Sequence, residues 1–333
     1  MEVQSSSTGV SVIICCYNSS QRLQDTLRHL ATQEKSTLYN YELIIVDNNS
    51  KDNTASIALQ LWNNLGAPFP INIINESNQG LSYARKAGIN ASLMNNILFC
   101  DDDNHLEKNY LKNGLEILNS KAEIGIVGGI SLPKLEVYPG KWIEDMYGAL
   151  AISAPHVSEG FDDWVFGAGM FIKKKVFQEF AENGLELHLT DRVGKRQTSG
   201  GDTEICFLAR HLGYKIWRSK DLKFHHFINK NRLQKSFFIK GNYKNIYPSI
   251  YLFILGKFID ETEANIKNSL YREYLLNKLK GIFYFLPRMV LGNHKFYSFL
   301  MFYQNIQITA GLLFRRKQFK NYYFKVKQMI NGK

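Results

Sequence analysis

The sequence predicts an α/β protein with a mainly parallel central sheet and flanking helices, plus a basic helical region at its C-terminus. Three observations predict it. Short apolar runs end in polar, turn-forming clusters, and a stretch with helical spacing follows each one. The resulting order of strand, helix, strand, helix, strand, helix, strand builds a parallel sheet covered on both faces. One run, Ile97-Leu98-Phe99-Cys100, ends in three adjacent carboxylates, Asp101-Asp102-Asp103. Like charges this close repel and resist desolvation unless something neutralises them.

The elements follow in order. Val10 to Cys16 is an apolar strand that runs into the polar turn Tyr17-Asn18, and Leu23, Leu27 and Leu30 then mark a helix face. Leu43-Ile44-Ile45-Val46 ends in Asp47-Asn48-Asn49-Ser50; Ser50 and Asp52 begin a helix that carries Ala55, Ala58, Leu59 and Trp62. Ile71-Asn72-Ile73-Ile74 leads through Asn78-Gln79-Gly80 into a helix with Ala84, Arg85 and Gly88. The Asp triplet closes the next strand. Ligands of open α/β sheets bind beyond the carboxyl ends of strands. A hard divalent cation such as Mg²⁺ or Mn²⁺ is the natural neutraliser, because it takes carboxylate oxygens and keeps positions open for phosphate. A solvated turn is the structural alternative. Further on, Trp164 to Phe171 reads as a strand with small residues in its middle. Asp202 is placed at the N-cap of a helix whose apolar face is Ile205, Leu208, Ala209 and Leu212. His225-His226 lie on a late strand, where only one of two neighbours can face a given side.

Together these segments resemble a family 2 glycosyltransferase with the GT-A fold, a nucleotide-sugar-binding α/β domain. The matching residues are Tyr17-Asn18, Val46-Asp47-Asn48-Asn49-Ser50, Asn78-Gln79-Gly80 with Ala84-Arg85 and Gly88, the D-x-D of Asp101 and Asp103, and Gly200-Gly201-Asp202-Thr203-Glu204. The likeness covers about residues 9–232. It implies a nucleotide site built from Tyr17, Asn18, Asp47, Asn49, Asn78, Gly80, Arg85, Asp101 and Asp102. In that site Asp47 accepts from base or ribose and Arg85 reaches uracil or phosphate; an ion pair of Arg85 with Glu76 or Asp101 is the alternative. The metal falls to Asp101, Asp103 and His226, and Lys230 and Arg232 clamp the diphosphate. Trp164, Gly167, Ala168 and Gly169 line the sugars, with Asp162 and Asp163 offering carboxylates beside them. Asp202 aligns with the catalytic base. Gly201 stands where the family commonly has Glu, so Glu204 is the fallback, grouped here with the sugar-contacting residues.

The implied reaction is inverting transfer from a nucleoside-diphosphate sugar, UDP favoured by family weight, to a saccharide or polyprenyl-linked acceptor. A non-catalytic scaffold with the same fold is the alternative from a different class. A nucleotidyltransferase would need a Gly-rich, basic loop after the first strand, which is absent. A D-x-D phosphatase would not need Asp47 or Asn78-Gln79-Gly80.

Charge divides the chain. Residues 1–228 hold 22 Lys and Arg against 26 Asp and Glu, whereas residues 229–333 hold 19 against 4. This suggests a catalytic domain over 1–240 and a basic, aromatic helical region over 241–333. The apolar runs of that region are short or interrupted by Gln304, Asn305 and Gln307, so none reads as a membrane span. Cations between aromatic and aliphatic stretches fit helices lying in a membrane interface, and a helical layer packed on the core is the alternative. No nucleic-acid motif accompanies the charge. The first nine residues are polar, so no signal peptide is expected. Cys15, Cys16 and Cys100 read as core residues rather than a disulfide set. A cytoplasmic protein, peripheral on the inner face of the cell membrane, is the expectation.

Overall fold

The computed structural model describes residues 7–332 apart from 155, 194–195, 198, 243–245, 262–269 and 315. The first half alternates strand and helix: β1 (Ser7–Cys16), α1 (Leu23–Ala31), β2 (Asn40–Asp47), α2 (Thr54–Asn64), β3 (Ile71–Asn75), α3 (Leu81–Ala91) and β4 (Met94–Cys100). Then come β5 (Asn104–Leu106), α4 (Tyr110–Ser120), β6 (Ile124–Leu135), β7 (Gly160–Asp162), β8 (Met170–Lys173) and α5 (Lys174–Glu182). Two short strands, β9 (Arg192–Val193) and β10 (Arg196–Gln197), pair antiparallel before α6 (Gly201–His211) and the long β11 (Lys215–Ile228). The C-terminal helices are α7 (Lys235–Asn242), α8 (Ile246–Asp260), α9 (Leu270–Leu291), α10 (Lys295–Phe314) and α11 (Arg316–Asn331).

The main sheet runs β3-β2-β1-β4-β8-β6-β11-β5, with β7 on β11. β3, β2, β1 and β4 are parallel neighbours, as are β6 and β11, while β8 enters antiparallel between β4 and β6. Strand alternation divides the apolar residues between two cores. Val12, Ile14, Leu43, Ile45 and Leu98 face one side, with Leu23, Leu27 and Leu30 of α1 and Trp62 of α2. Ile13, Ile44, Val46, Ile97 and Phe99 face the other, with Ala84 of α3, Val176 of α5 and Ile205 of α6. A period of two serving two covered faces is what the continuous apolar runs require.

Residues on both sides of position 240 share the second core. Ile250, Tyr251, Ile254 and Leu255 of α8 and Val326 of α11 are buried in it with α6. Gly88 sets how closely α3 lies on the sheet. A Cβ there would sit 2.5 Å from Ile13 Cγ2 and 3.3 Å from Val46 Cγ2. Gly88→Val is therefore expected to cost about 1–3 kcal/mol through overpacking. Urea unfolding checks this, and an unchanged midpoint would refute the close approach.

The segment expected to be one strand from Trp164 to Phe171 is different. Residues 164–166 are irregular between bends at 163 and 167, a turn follows at 168–169, and β8 begins only at Met170. Gly169 takes φ 73° in that turn, a conformation a strand cannot hold.

Candidate active site

The parallel strands deliver their loops to one edge. Cys16, at the end of β1, lies beside Asp47 in register, and Ile14 lies beside Cys100. Three of these loops are stitched together by side chains. Asp47 Oδ1 accepts from Ser50 N at 3.0 Å, closing the turn after β2. Asn18, at φ 49°, receives Lys51 N on its Oδ1 at 2.8 Å, and its own N–H donates to Ser50 Oγ at 3.0 Å. Asn49 is also left-handed, at φ 61°, and donates to Ser77 O. Asn48 was not singled out in the sequence, yet it is the buried hub. It donates to Glu76 O and Asn78 O and accepts from Gly80 N at 2.7 Å. Gly80 starts α3 at φ 147°. Tyr17 is exposed, with Gln79 reaching its hydroxyl at 3.5 Å.

The Asp triplet divides into separate roles. Asp102 turns toward α1, accepting a short hydrogen bond from Ser19 Oγ and pairing with Arg22 at 2.6 Å. It is thus occupied within the protein, contrary to its placement among nucleotide ligands. Burial and the neighbouring Asp103 push its carboxyl upward, while Arg22 and Ser19 draw it back. Asp103 lies against β11: its carbonyl accepts from Phe227 N at 2.9 Å, its Oδ1 is 3.3 Å from His226 Nε2, and its Oδ2 is 3.6 Å from Arg232. Of the two adjacent histidines, His226 is the one that meets Asp103. Asp101 makes no ion pair within 4.0 Å among the described residues. Lys230 is exposed, and its backbone N–H is anchored on Glu136.

Asp103 and His226 offer an oxygen and a nitrogen, donors that suit Mn²⁺ and, less well, Mg²⁺. The other ring nitrogen of His226 is buried without a partner. Among the described residues no three His, Cys, Asp or Glu side chains converge as a complete cage. Phosphate oxygens and water commonly complete such an open site.

Asp202 is not the N-cap but the second residue of α6. Its Oδ2 accepts from Gly167 N at 2.8 Å. A Cβ on Gly167 would lie 2.6 Å from Arg85 Nη2 and 3.1 Å from Asp202 Cβ, so glycine permits these groups to meet. Arg85 is buried over the Phe99 ring and pairs with Asp191 at 3.5 Å, not with Glu76 or Asp101 as weighed. Burial opposes its charge, but Asp191, Asp202 and Asp101 around it hold it cationic. One guanidinium therefore stands between the acidic strand end and the carboxylate on α6. Asp191 also accepts from Gly201 N at 2.9 Å, fixing the start of that helix. Nothing periodic in the loop from Gly184 to Gly200 marked Asp191 beforehand.

Several expected sugar-contacting residues lie elsewhere. Ala168 belongs to an apolar core, and the missing Cβ of Gly169 makes room for the Tyr110 hydroxyl and Phe224. Trp164 is partly exposed against Phe166, with its carbonyl taken by Arg218. Asp162 and Asp163 pair with Arg218 and Arg210. Glu204 is fully buried and accepts from His188 N, Leu189 N and Tyr251 Oη at 2.7–2.9 Å. Burial pushes its carboxyl above the ordinary range, partly offset by these three donors. It is a strut of the loop, not a second base facing substrate. Glu204→Ala is expected to cost about 2–4 kcal/mol by stranding three donors. Denaturant unfolding reads that cost, and a loss under about 0.5 kcal/mol would refute the strut.

A parallel sheet edge with stitched loops, an acidic strand end and a carboxylate beside a glycine turn define a GT-A glycosyltransferase. The chain belongs to the family described as Glycosyl transferase family 2, which matches residues 11–180. It is 32% identical over 123 residues to the glycosyltransferase AglE of Haloferax volcanii, covering 36% of this chain and 38% of that protein. It is 31% identical over 114 residues to the cholesterol galactosyltransferase of Borreliella burgdorferi, covering 34% of this chain and 29% of that one. The chain thus spans about a third of these relatives' lengths. Among solved structures, the mannosyltransferase PcManGT of Pyrobaculum calidifontis with GDP-Man and Mn²⁺ superposes at TM-score 0.56 and 16% identity, covering 96% of this chain and 84% of that one. S. aureus TarS 1-349 with UDP-GlcNAc superposes at 0.51 and 12% identity, covering 93% of each. At such identities the two structures speak for the fold.

Proposed function

We propose that this enzyme is a metal-dependent, inverting transferase that moves a sugar from a nucleoside diphosphate to a hydroxyl of a saccharide or polyprenyl-linked saccharide in surface polysaccharide assembly. The observation that carries this reading is Asp202 on Gly167 N beside Arg85, at the same sheet edge as the Asp103–His226 pair. Asp202 takes the proton of the acceptor hydroxyl as its oxygen attacks the anomeric carbon. The new carbon–oxygen bond forms on the face opposite the phosphate, and the electron pair of the breaking bond leaves with the diphosphate. One displacement inverts the centre, and no enzyme nucleophile is needed. Arg85 and Arg232 supply fixed positive charge near the leaving group, with Lys230 nearby. Asp103 and His226, with Asp101, would hold a divalent cation, which neutralises charge on the diphosphate when bound. Asp47, Asn18 and Tyr17 face the nucleoside. Peripheral attachment to the inner face of the cell membrane through the basic C-terminal region completes the reading.

UDP is favoured as the nucleotide, and GDP is the comparison the solved relatives recommend. The test offers UDP- and GDP-sugars with and without Mn²⁺, and measures nucleotide release and the anomeric configuration of the product. Metal-dependent release with inversion from one nucleotide supports the proposal. Nucleotide binding without any transfer across an acceptor panel would favour the scaffold.

A further inference from the structure

The last helices carry apolar side chains that the fold leaves uncovered. On α9, Leu276, Phe283 and Val290 recur at i, i+7 and i+14 and are exposed, Phe283 by 73% and Val290 by 61%. On α10, Phe299, Ile306 and Leu313 repeat the same spacing, again exposed. Seven residues are nearly two helical turns, so each set forms a stripe along its helix. Fourteen residues span about 21 Å at 1.5 Å per residue. Opposite its stripe, α9 packs on α10: Gly281 meets Asn305, Phe285 meets Tyr297, and Tyr271 Oη donates to Leu312 O. The exposed stripe of α9 is therefore its outward face, and the α10 stripe, which likewise lies away from the shared contact, points to the other side of the hairpin. The hairpin's ends add Leu291 and Phe314, exposed by 84% and 87%.

Charge surrounds this face. Residues 270–333 contain twelve Lys and Arg and one carboxylate, Glu273, which is paired with Lys257 of α8. Lys280 lies between Leu276 and Phe283 at helical spacing from both and is exposed with them. Exposed Arg288 rests its guanidinium 3.6 Å over the Tyr284 ring. Among the described residues no helix is long and apolar enough to cross a membrane.

We propose that the outward face of α9 is the surface by which the protein lies in the headgroup region of an anionic lipid bilayer. This deepens the attachment reading above by naming the residues that make it. Apolar side chains enter the acyl boundary, and Lys280, Arg288 and their neighbours meet anionic headgroups. A second copy of this chain fits less well. It would press two strongly cationic regions together with one carboxylate on each side, whereas an anionic surface neutralises them.

The test uses the full chain, because removing everything after Asn242 would strip the buried α8 from α6. Flotation with vesicles of phosphatidylglycerol and phosphatidylcholine is compared with phosphatidylcholine alone. Two variants are run beside the wild type: Phe283→Ser with Val290→Ser, and Lys280→Glu with Arg288→Glu. All four positions are exposed, and an unchanged circular dichroism melt verifies the fold. Binding to the anionic vesicles only, weakened by salt and by roughly tenfold or more in each variant, supports the face. Wild-type binding that both variants retain would overturn the face and leave attachment to other parts of the chain. No wild-type binding to either vesicle would overturn attachment itself, without touching the transferase reading. A dimer without lipid that dissociates on Phe283→Ser with Val290→Ser would assign the face to a second copy instead.

Discussion

Asp202→Asn is expected to lower the transfer rate by roughly a hundred- to ten-thousand-fold while leaving nucleotide affinity within about twofold of wild type. The separation follows from the geometry. Asp202 Oδ2 accepts from Gly167 N, and an amide oxygen can keep that hydrogen bond, so the glycine turn survives the change. Arg85 keeps Asp191 as its partner, so the guanidinium stays in place. What asparagine cannot do is accept a proton near neutral pH, and that is the function proposed for this carboxylate. Single-turnover rates with saturating donor, beside calorimetric nucleotide titration, measure both quantities. Transfer within about tenfold of wild type would remove Asp202 from the base role. Glu204 could not inherit it, since its oxygens are buried on His188 N, Leu189 N and Tyr251 Oη.

The parts of this molecule that were legible in advance are those where one residue type has one use. β1, β2 and β4 alternate between two apolar cores, so their sequences are continuous runs that stop at the site. The stops themselves, Tyr17-Asn18, Asp47 to Ser50 and the Asp triplet, fall where the strands end. Less legible were residues whose partners are distant in the chain. Asn48 joins a loop about thirty positions later, and Asp191 reaches back to Arg85. Neither contact has a periodic signature, because a polar side chain in a loop can bond in many directions. Trp164 to Phe171 misled for a related reason. Glycine and alanine between aromatic residues suit a sugar-lined strand and a tight turn equally. Only packing distinguishes them: Gly169 is glycine because Tyr110 and Phe224 occupy its Cβ space. The same holds for Glu204, whose charge suggested chemistry and whose burial makes it a strut.

Asp103→Ala is expected to weaken Mn²⁺-dependent nucleotide binding by about a hundredfold, a larger loss than Asp102→Ala produces. The two neighbours differ in what they touch, not in charge. Asp103 meets His226 at 3.3 Å and Arg232 at 3.6 Å, so its removal takes away one metal donor and leaves two groups on β11 and its following turn without their carboxylate. Asp102 instead holds Ser19 and Arg22 at the start of α1. Its loss should show mainly as stability, about 1–2 kcal/mol in denaturant unfolding, with metal-dependent affinity changed by only about threefold. Titrating the nucleotide into each variant with and without Mn²⁺ separates the two roles. If both variants lose metal dependence equally, the triplet acts as one electrostatic patch and the assignment of Asp103 and His226 as donors fails. If neither loses it, the cation is held elsewhere, and the close approach of Asp103 to His226 and Arg232 is a structural clamp on β11. The contrast is informative because the sequence places these two carboxylates side by side, and only the turn after β4 sends them to opposite partners.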